Sequence, residues 1–361
     1  MKTKKADIPY CNVRQDVIEN AKPTINWENV YHFRTFVIDR YKVHKRKDIQ
    51  HLLAPWTKNL ILQEFKFTNV RREHDKQTQY LLQHITNNPS LTLEDKIANS
   101  IIFRAWNNLE TFRDFGFPYP CKKLYSPKLK ERVRPLFHSL QNQQQDRLWF
   151  TNAFHLSGPK DMWGYVSADP QCEEREPEVP LRPFNIGVYL GEMGLVEKLL
   201  KCKSQLEAFE TIKLLRGFAN FLAYQVYVDL TYIPEFPFSE NEFTVAGPGC
   251  KKGINFIFTN KGGMNYEECL FWLRDRINMT SEGGYNLFKN DELNRIEAEK
   301  GFPHRVYNPT QLFDDLPEEE RYMNVMSIEN CMCELGKYLP ILHGKRKKIR
   351  RYNGGGITYD L

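Results

Sequence analysis

Apolar positions recur at helical spacing along most of this chain, and they predict an almost entirely helical protein. From Trp27 to Leu53, Tyr31, Phe33, Phe36, Val37 and Tyr41 repeat amid many charges, and Pro55 should end that helix. Two more helices are expected at residues 78–85 and 93–112. The second carries Ile97, Ile101, Trp106, Leu109 and Phe112, and opens on Thr92-x-x-Asp95, a capping box with Asp in place of Glu or Gln. Further helices are expected at 128–150, 190–201, 205–215, 217–232, 266–278, 289–299 and 327–339. Gly164-Tyr165-Val166 is one weak strand signal, and no internal repeat is visible. The expected fold class is mainly α.

Other stretches lack a clean period. Ile61, Leu62, Phe65, Phe67 and Val70 predict a helix that breaks near Thr68 and Asn69. Residues 166–183 are rich in acids and prolines and read as an irregular insertion. Residues 246–253 read as a Gly/Pro turn. The expected organisation is a polar segment at 1–26, a helical domain at 27–343 carrying the insertion, and a basic tail at 344–361.

Composition narrows the class. Of 361 residues, 41% are hydrophobic and 13% aromatic, enough for a real core and too many for a disordered chain. The net charge of +6 fits a polyanionic partner without requiring one. Lys345, Arg346, Lys347, Lys348, Arg350 and Arg351 crowd the tail, which reads either as a phosphate-touching arm or as a solvated end. The eight cysteines include no CxxC pair, and the single residue between Cys331 and Cys333 suits structural zinc poorly. No metal or cofactor is expected. No apolar region follows Met-Lys-Thr-Lys-Lys, so no signal peptide, no membrane span and a reducing, cytoplasmic setting are expected.

Three segments could carry chemistry. In 214–230, Gly217 permits a tight turn ahead of an apolar helix, and that helix's N-terminus could offer N–H groups to a phosphate. Gln225 and Asp229 share a face of that helix. A buried carboxylate there must be paired or functional. In 243–255, Gly247, Gly249 and Gly253 surround Lys251 and Lys252, as an anion nest or as a simple turn. It is not a Walker loop, since G-x-x-x-x-G-K-[ST] is absent from this sequence. In 327–338, Ile328, Cys331, Leu335 and Tyr338 form an apolar stripe. Asn330, Glu334 and Lys337 lie on another face, and Ser327 is a candidate cap.

The segment from Pro55 to Asp75 supplies the most specific pattern: P-W-T, then I-L-Q-x-F-K-F-T-N-V-x-R-x-x-D. It resembles the signature of the α-glutamyl/putrescinyl-thymine pyrophosphorylases, or amino-acid:DNA transferases, which is shared with the helical domain of 5-hydroxymethyluracil DNA kinases. F-L-A-Y-Q-x-x-x-D-L, A-G-P-G-x-x-K-G-I and Glu329, Cys333, Glu334, Lys337 and Tyr338 are similar to further motifs of that family, in order. The chain departs from them at Ser327 and Gly336, where the family tends to have Asp.

The resemblance implies a helical DNA-glycosylase-like fold with a degenerate helix-hairpin-helix. It implies an enzyme that moves an amine, an amino acid or polyamine, onto the 5-methylene carbon of pyrophosphorylated 5-hydroxymethyluracil in double-stranded DNA, releasing pyrophosphate. Base flipping would bring the thymine derivative into a pocket. The implied setting is bacteriophage hypermodification in the host cytoplasm, linked to a 5-hydroxymethyluracil DNA kinase.

For the chemistry, Arg71, Arg72 and Lys337 are expected on the pyrophosphate. Asp229 and Glu334 are expected to receive the ammonium and its proton. Gln63, Asn69, Gln225 and Tyr338 are expected to meet substrate. Gly217, Gly247, Gly249, Lys251, Lys252, Arg350 and Arg351 are expected on the DNA backbone. A Cys333 adduct is conceivable. Two alternatives stand beside this reading: a true glycosylase, although Glu240 to Gly247 does not match the expected carboxylate context, and a non-catalytic DNA-binding partner of a kinase.

Overall fold

The computed structural model describes residues 12–144, 146–151, 176–278, 286–300, 321–345 and 351–352. The start of the polar segment, the strand signal at Gly164-Tyr165-Val166, the insertion up to residue 175, Arg350 and most of the basic tail lie outside them. The described chain separates into two compact units, Lys76–Glu242 and Asn12–Asp75 with the residues from Phe243 onward. Both are mainly α, as the periodicity predicts.

In the Asn12–Asp75 part lie α1 (Gln15–Asn20), strand β1 (Thr24–Ile25), α2 (Trp27–His44) and the short α3 (Leu60–Glu64). The Lys76–Glu242 unit holds α4 (Lys76–Leu81), α5 (Leu93–Trp106), α6 (Leu109–Asp114), α7 (Cys121–Leu124), α8 (Lys128–Gln143), α9 (Pro183–Glu192), α10 (Leu195–Lys201), α11 (Gln205–Lys213) and α12 (Asn220–Thr231). After Phe243 come α13 (Pro248–Ile257), strand β2 (Phe258–Asn260), α14 (Tyr266–Asn278), α15 (Asp291–Glu299) and α16 (Val325–Leu342). β1 and β2 pair antiparallel.

Local chemistry sets the boundaries. The Thr92/Asp95 capping box forms in full and opens α5. The helix expected over 93–112 divides, because Asn107 adopts a left-handed φ of 48° and Asn108 caps α6 by accepting from the Glu110 and Thr111 N–H groups. The helix predicted to break near Thr68 ends earlier, at Glu64. Residues 66–69 take no regular secondary structure, the chain bends at Val70 and Arg71, and a single 3₁₀ turn covers Arg72–His74. The Gly/Pro turn predicted at 246–253 is a helix from Pro248, with proline in the first turn where its missing N–H is harmless. Asn324, not Ser327, caps α16 and accepts from the Ser327 N–H.

In the Lys76–Glu242 unit, Trp106, Phe112, Phe115, Phe117 and Phe184 interlock, with Trp106 and Phe115 ring centres 5.5 Å apart. The indole of Trp106 donates to the Pro180 carbonyl at 2.8 Å. In the other unit α13 and α16 cross in backbone contact. A side chain at Gly249 would meet Cys333 Sγ, one at Gly253 the Met332 carbonyl, and one at Gly336 the Gly249 carbonyl. Packing at this crossing therefore requires three of the glycines that the sequence offers.

Candidate active site

Within the Asn12–Asp75 and Phe243–Leu361 unit, the signature segment is clamped at Thr68 and Asn69 by two helices. From α2, the buried Arg40 guanidinium donates to the Thr68 carbonyl (2.5 and 3.0 Å) and the Asn69 carbonyl (2.9 Å). From α16, Asn330 donates to the Asn69 carbonyl at 2.8 Å and accepts from the Thr68 hydroxyl at 3.0 Å. The segment closes on itself: the Asn69 N–H donates to Asp75 at 3.1 Å, and the Asn69 amide donates to the His74 carbonyl at 2.7 Å. The His74 ring stacks on His44 at 4.2 Å. Thr68, Asn69 and Asp75 thus build the loop that the sequence pattern marks.

A group of ionisable side chains gathers against that loop. Glu329, on α16, is buried where α13 begins. It accepts from the Gly247 N–H and from the Cys250 thiol, and Arg72 lies within electrostatic reach. Burial outweighs those contacts and lifts its carboxyl to about 7. Burial likewise lifts Asp75 to about 6, against the Asn69 N–H, Arg72 and Arg40. One turn on from Glu329, the buried Glu334 accepts from Lys337 at 2.6 Å, and Glu334 raises both Glu329 and Asp75 further by like-charge repulsion. Burial opposes the charge on Lys337, yet Glu334 outweighs it and the ammonium is held more firmly than usual. Its side chain keeps 46% of its surface in solvent. The cluster therefore holds two carboxyls poised near neutrality, Glu329 and Asp75, together with a Glu334–Lys337 pair whose cation is partly exposed.

The other expected residues fall as follows. Arg71 is buried, donating to Glu73 at 2.6 Å and to the Tyr322 carbonyl at 3.1 Å. Arg72 is buried in the carboxyl cluster. Gln63 donates to the Thr57 carbonyl at 2.7 Å. The Tyr338 ring stacks on Phe36 at 4.3 Å, and its hydroxyl accepts from Asn59 at 3.0 Å. Gly247 precedes α13. Lys251 and Lys252 lie on its solvent side, over Tyr266 and Phe256. Arg351 pairs with Glu64 at 2.9 Å while Tyr352 donates to the Glu64 carbonyl at 3.2 Å, so the tail returns to the signature segment. Burial holds the Cys333 thiol up at about 12, so it stays protonated at neutral pH, a poor state for a nucleophile.

Asp229, Gln225 and Gly217 belong to the other unit. Both Asp229 oxygens are engaged by Arg104, at 2.5 and 2.6 Å, and both partners are buried. That ion pair ties α5 to α12. Gln225 is buried on α12, and Gly217 supplies a left-handed turn (φ 86°) between α11 and α12. Residues 118–127 carry no sequence motif. The structure forms there a hollow of about 340 Å³ lined by Pro120, Lys122, Lys123, Ser126, Leu129 and Arg132. Glu329 matches a motif of the related family without an expected role, and Asp75 and Arg40 have none from the sequence. Burial, which no motif spells out, is what sets them apart.

Among the described residues no group of His, Cys, Asp and Glu could hold a metal, and no helix is long and apolar enough to cross a membrane. The family described as 5-hmdU DNA kinase, helical domain, matches residues 28–348. The chain is 24% identical over 316 residues to the 5-hmdU DNA kinase of Bacillus phage SP10, an alignment covering 84% of this chain and 43% of that relative. The chain thus spans less than half the length of the curated relative it matches. No solved structure matches it.

Proposed function

This chain belongs to the family of the 5-hmdU DNA kinase helical domain, and from that membership we propose that it modifies DNA bases derived from 5-hydroxymethyluracil. The specific reaction proposed is amine transfer. The amine nitrogen bonds to the 5-methylene carbon of a pyrophosphorylated base as the carbon–oxygen bond breaks. Pyrophosphate leaves with the electron pair, and the proton shed by the nitrogen passes to a carboxylate.

One observation carries the reading: the buried Glu329/Glu334 pair beside Lys337, held against the signature segment on α16. A carboxyl poised near 7 can take up a proton at cellular pH. Lys337, partly exposed, offers a cation to the departing pyrophosphate. We assign proton transfer to Glu329 with Glu334, and leave Asp229 to the ion pair with Arg104. Arg71, bound to Glu73 and to the Tyr322 carbonyl, holds the signature segment in this assignment. Lys251, Lys252 and Arg351 remain candidates for the DNA backbone.

A second reading is a non-catalytic DNA-binding partner of a 5-hydroxymethyluracil DNA kinase, and it rests on the same family membership. The deciding assay mixes the protein, duplex DNA bearing 5-pyrophosphoryloxymethyl-uracil and a panel of amines, and reads digested nucleosides by mass spectrometry. An amine adduct with released pyrophosphate is the expected result. Bound but unchanged DNA would favour the non-catalytic reading, and free base would point to a glycosylase.

A further inference from the structure

Among the described residues, the loop ahead of α3 and its flanks expose several apolar side chains close together in sequence. Of the eleven exposed large apolar side chains among the described residues, four fall within twelve positions: Ile49, Leu52, Leu53 and Leu60. Leu53 keeps 92% of its surface in solvent. Single exposed leucines are ordinary, but four exposed apolar side chains within twelve positions are not.

The tip is also held in place. The Leu52 N–H donates to the Arg46 carbonyl at 2.9 Å, and the Trp56 indole donates to the Leu52 carbonyl at 2.7 Å. Arg46 donates in turn to the Trp56 carbonyl at 2.7 Å. Lys47 lies over both Trp56 and Tyr352. His51, at a φ of 53°, sits in a backbone region that side chains disfavour, so the neighbouring bonds must hold it there. Farther along the loop, Asn59 bonds Tyr338 on α16, the helix that carries Glu329, Glu334 and Lys337.

Charge identifies the occupant. Lys42, Lys45, Arg46 and Lys58 flank the tip, while Lys47 pairs at 3.1 Å with Asp48, the one acid between Lys42 and Leu60. An apolar point collared by cations complements a stack of bases between two phosphate strands.

We infer that Leu53, supported by Leu52, is a wedge that enters the duplex beside the target base while the flanking cations hold the phosphates. The inference rests on duplex DNA being the substrate, and it gives the flipped base a device that keeps the gap open. Leu53 is a positioning residue, since it touches no reacting atom.

The test uses the full chain and a duplex carrying 2-aminopurine next to 5-hydroxymethyluracil. Fluorescence anisotropy reads binding, and 2-aminopurine emission reads unstacking. Wild type is expected to brighten the probe several-fold. Leu53→Ala should bind the duplex nearly as well yet lose most of that brightening, and Leu53→Met should restore it. Unchanged brightening in Leu53→Ala, or duplex binding by wild type without brightening, would overturn the wedge. So would a loss of affinity in Leu53→Ala that is equal for single-stranded DNA, because the tip would then be a simple contact. No duplex binding by wild type would remove the premise as well. Brightening here, with no adduct formed on the 5-pyrophosphoryloxymethyl-uracil duplex in the transfer assay, would leave the wedge standing and sink the proposed reaction.

Discussion

Gly253 on α13 lies directly against the Met332 carbonyl on α16, with no room for a single methyl group between them. Main-chain atoms cannot yield as the end of a side chain can. Gly253→Ala is therefore expected to lose about 3 kcal/mol or more, read as a lower urea midpoint. Gly336→Asp should do the same, because the Gly249 carbonyl occupies the space a side chain would need. The departure from the related motif at position 336 thus has a packing cause here. Lys251→Ala, on the solvent side of α13, should change stability by no more than about 0.5 kcal/mol.

The Arg104–Asp229 pair makes a contrasting prediction. Asp229→Ala leaves a buried guanidinium without its carboxylate and should cost about 3–5 kcal/mol. Replacing both partners by apolar residues, Arg104→Met with Asp229→Leu, should recover most of the loss. Urea unfolding of the two variants checks this. If Asp229→Ala folds normally and abolishes amine transfer, the carboxylate has a chemical role after all.

Stability should fall as the solution becomes more alkaline. In the folded state Glu329 and Asp75 keep their protons up to about 7 and about 6, while their ordinary values are 4.5 and 3.8. Between those limits the folded chain binds more protons than the unfolded chain, so each rise in pH removes stability. Glu329→Gln, which carries no charge at either end of the range, should flatten that slope. The effect is on the order of 3 kcal/mol at most between pH 4.5 and 8. Midpoints of urea unfolding across that range measure it. An unchanged slope in Glu329→Gln would mean that the carboxyl titrates normally.

Catalysis should depend on the same group. Glu329→Gln is expected to lower the transfer rate by about 10²–10⁴-fold and to remove a limb of the rate–pH profile near 7. Lys337→Ala should lower kcat by about 10²-fold if it meets the pyrophosphate. Arg40→Met is expected to lower stability as well, since the Thr68 carbonyl loses its Arg40 donor and the Asn69 carbonyl keeps Asn330 alone of the two.

The hollow at Lys122, Lys123 and Arg132 offers cations to a polyanion. Lys122 and Arg132 have no ion-pair partner among the described residues. Lys122→Ala with Arg132→Ala should weaken DNA binding uniformly across sequences and reduce the salt slope by about two. An unchanged slope would exclude this surface from the DNA footprint.

By itself the sequence determined the helical class, most helix positions and the signature that marks the family, because helical periodicity and capping are local and short motifs survive as strings. It also led to Glu334 and Lys337, three apart on one helix, whose pairing follows from helix geometry. Only the tertiary structure decided what the glycines of α13 are for, since the backbone of α16 that fills their space lies about eighty positions away. It gave Asp229 its Arg104, 125 residues distant, and returned Arg351 to Glu64. It also singled out Glu329, because a carboxyl's proton affinity depends on how much water the surrounding chains exclude. Spacing along a sequence cannot encode that exclusion, which arises when distant segments close over one another.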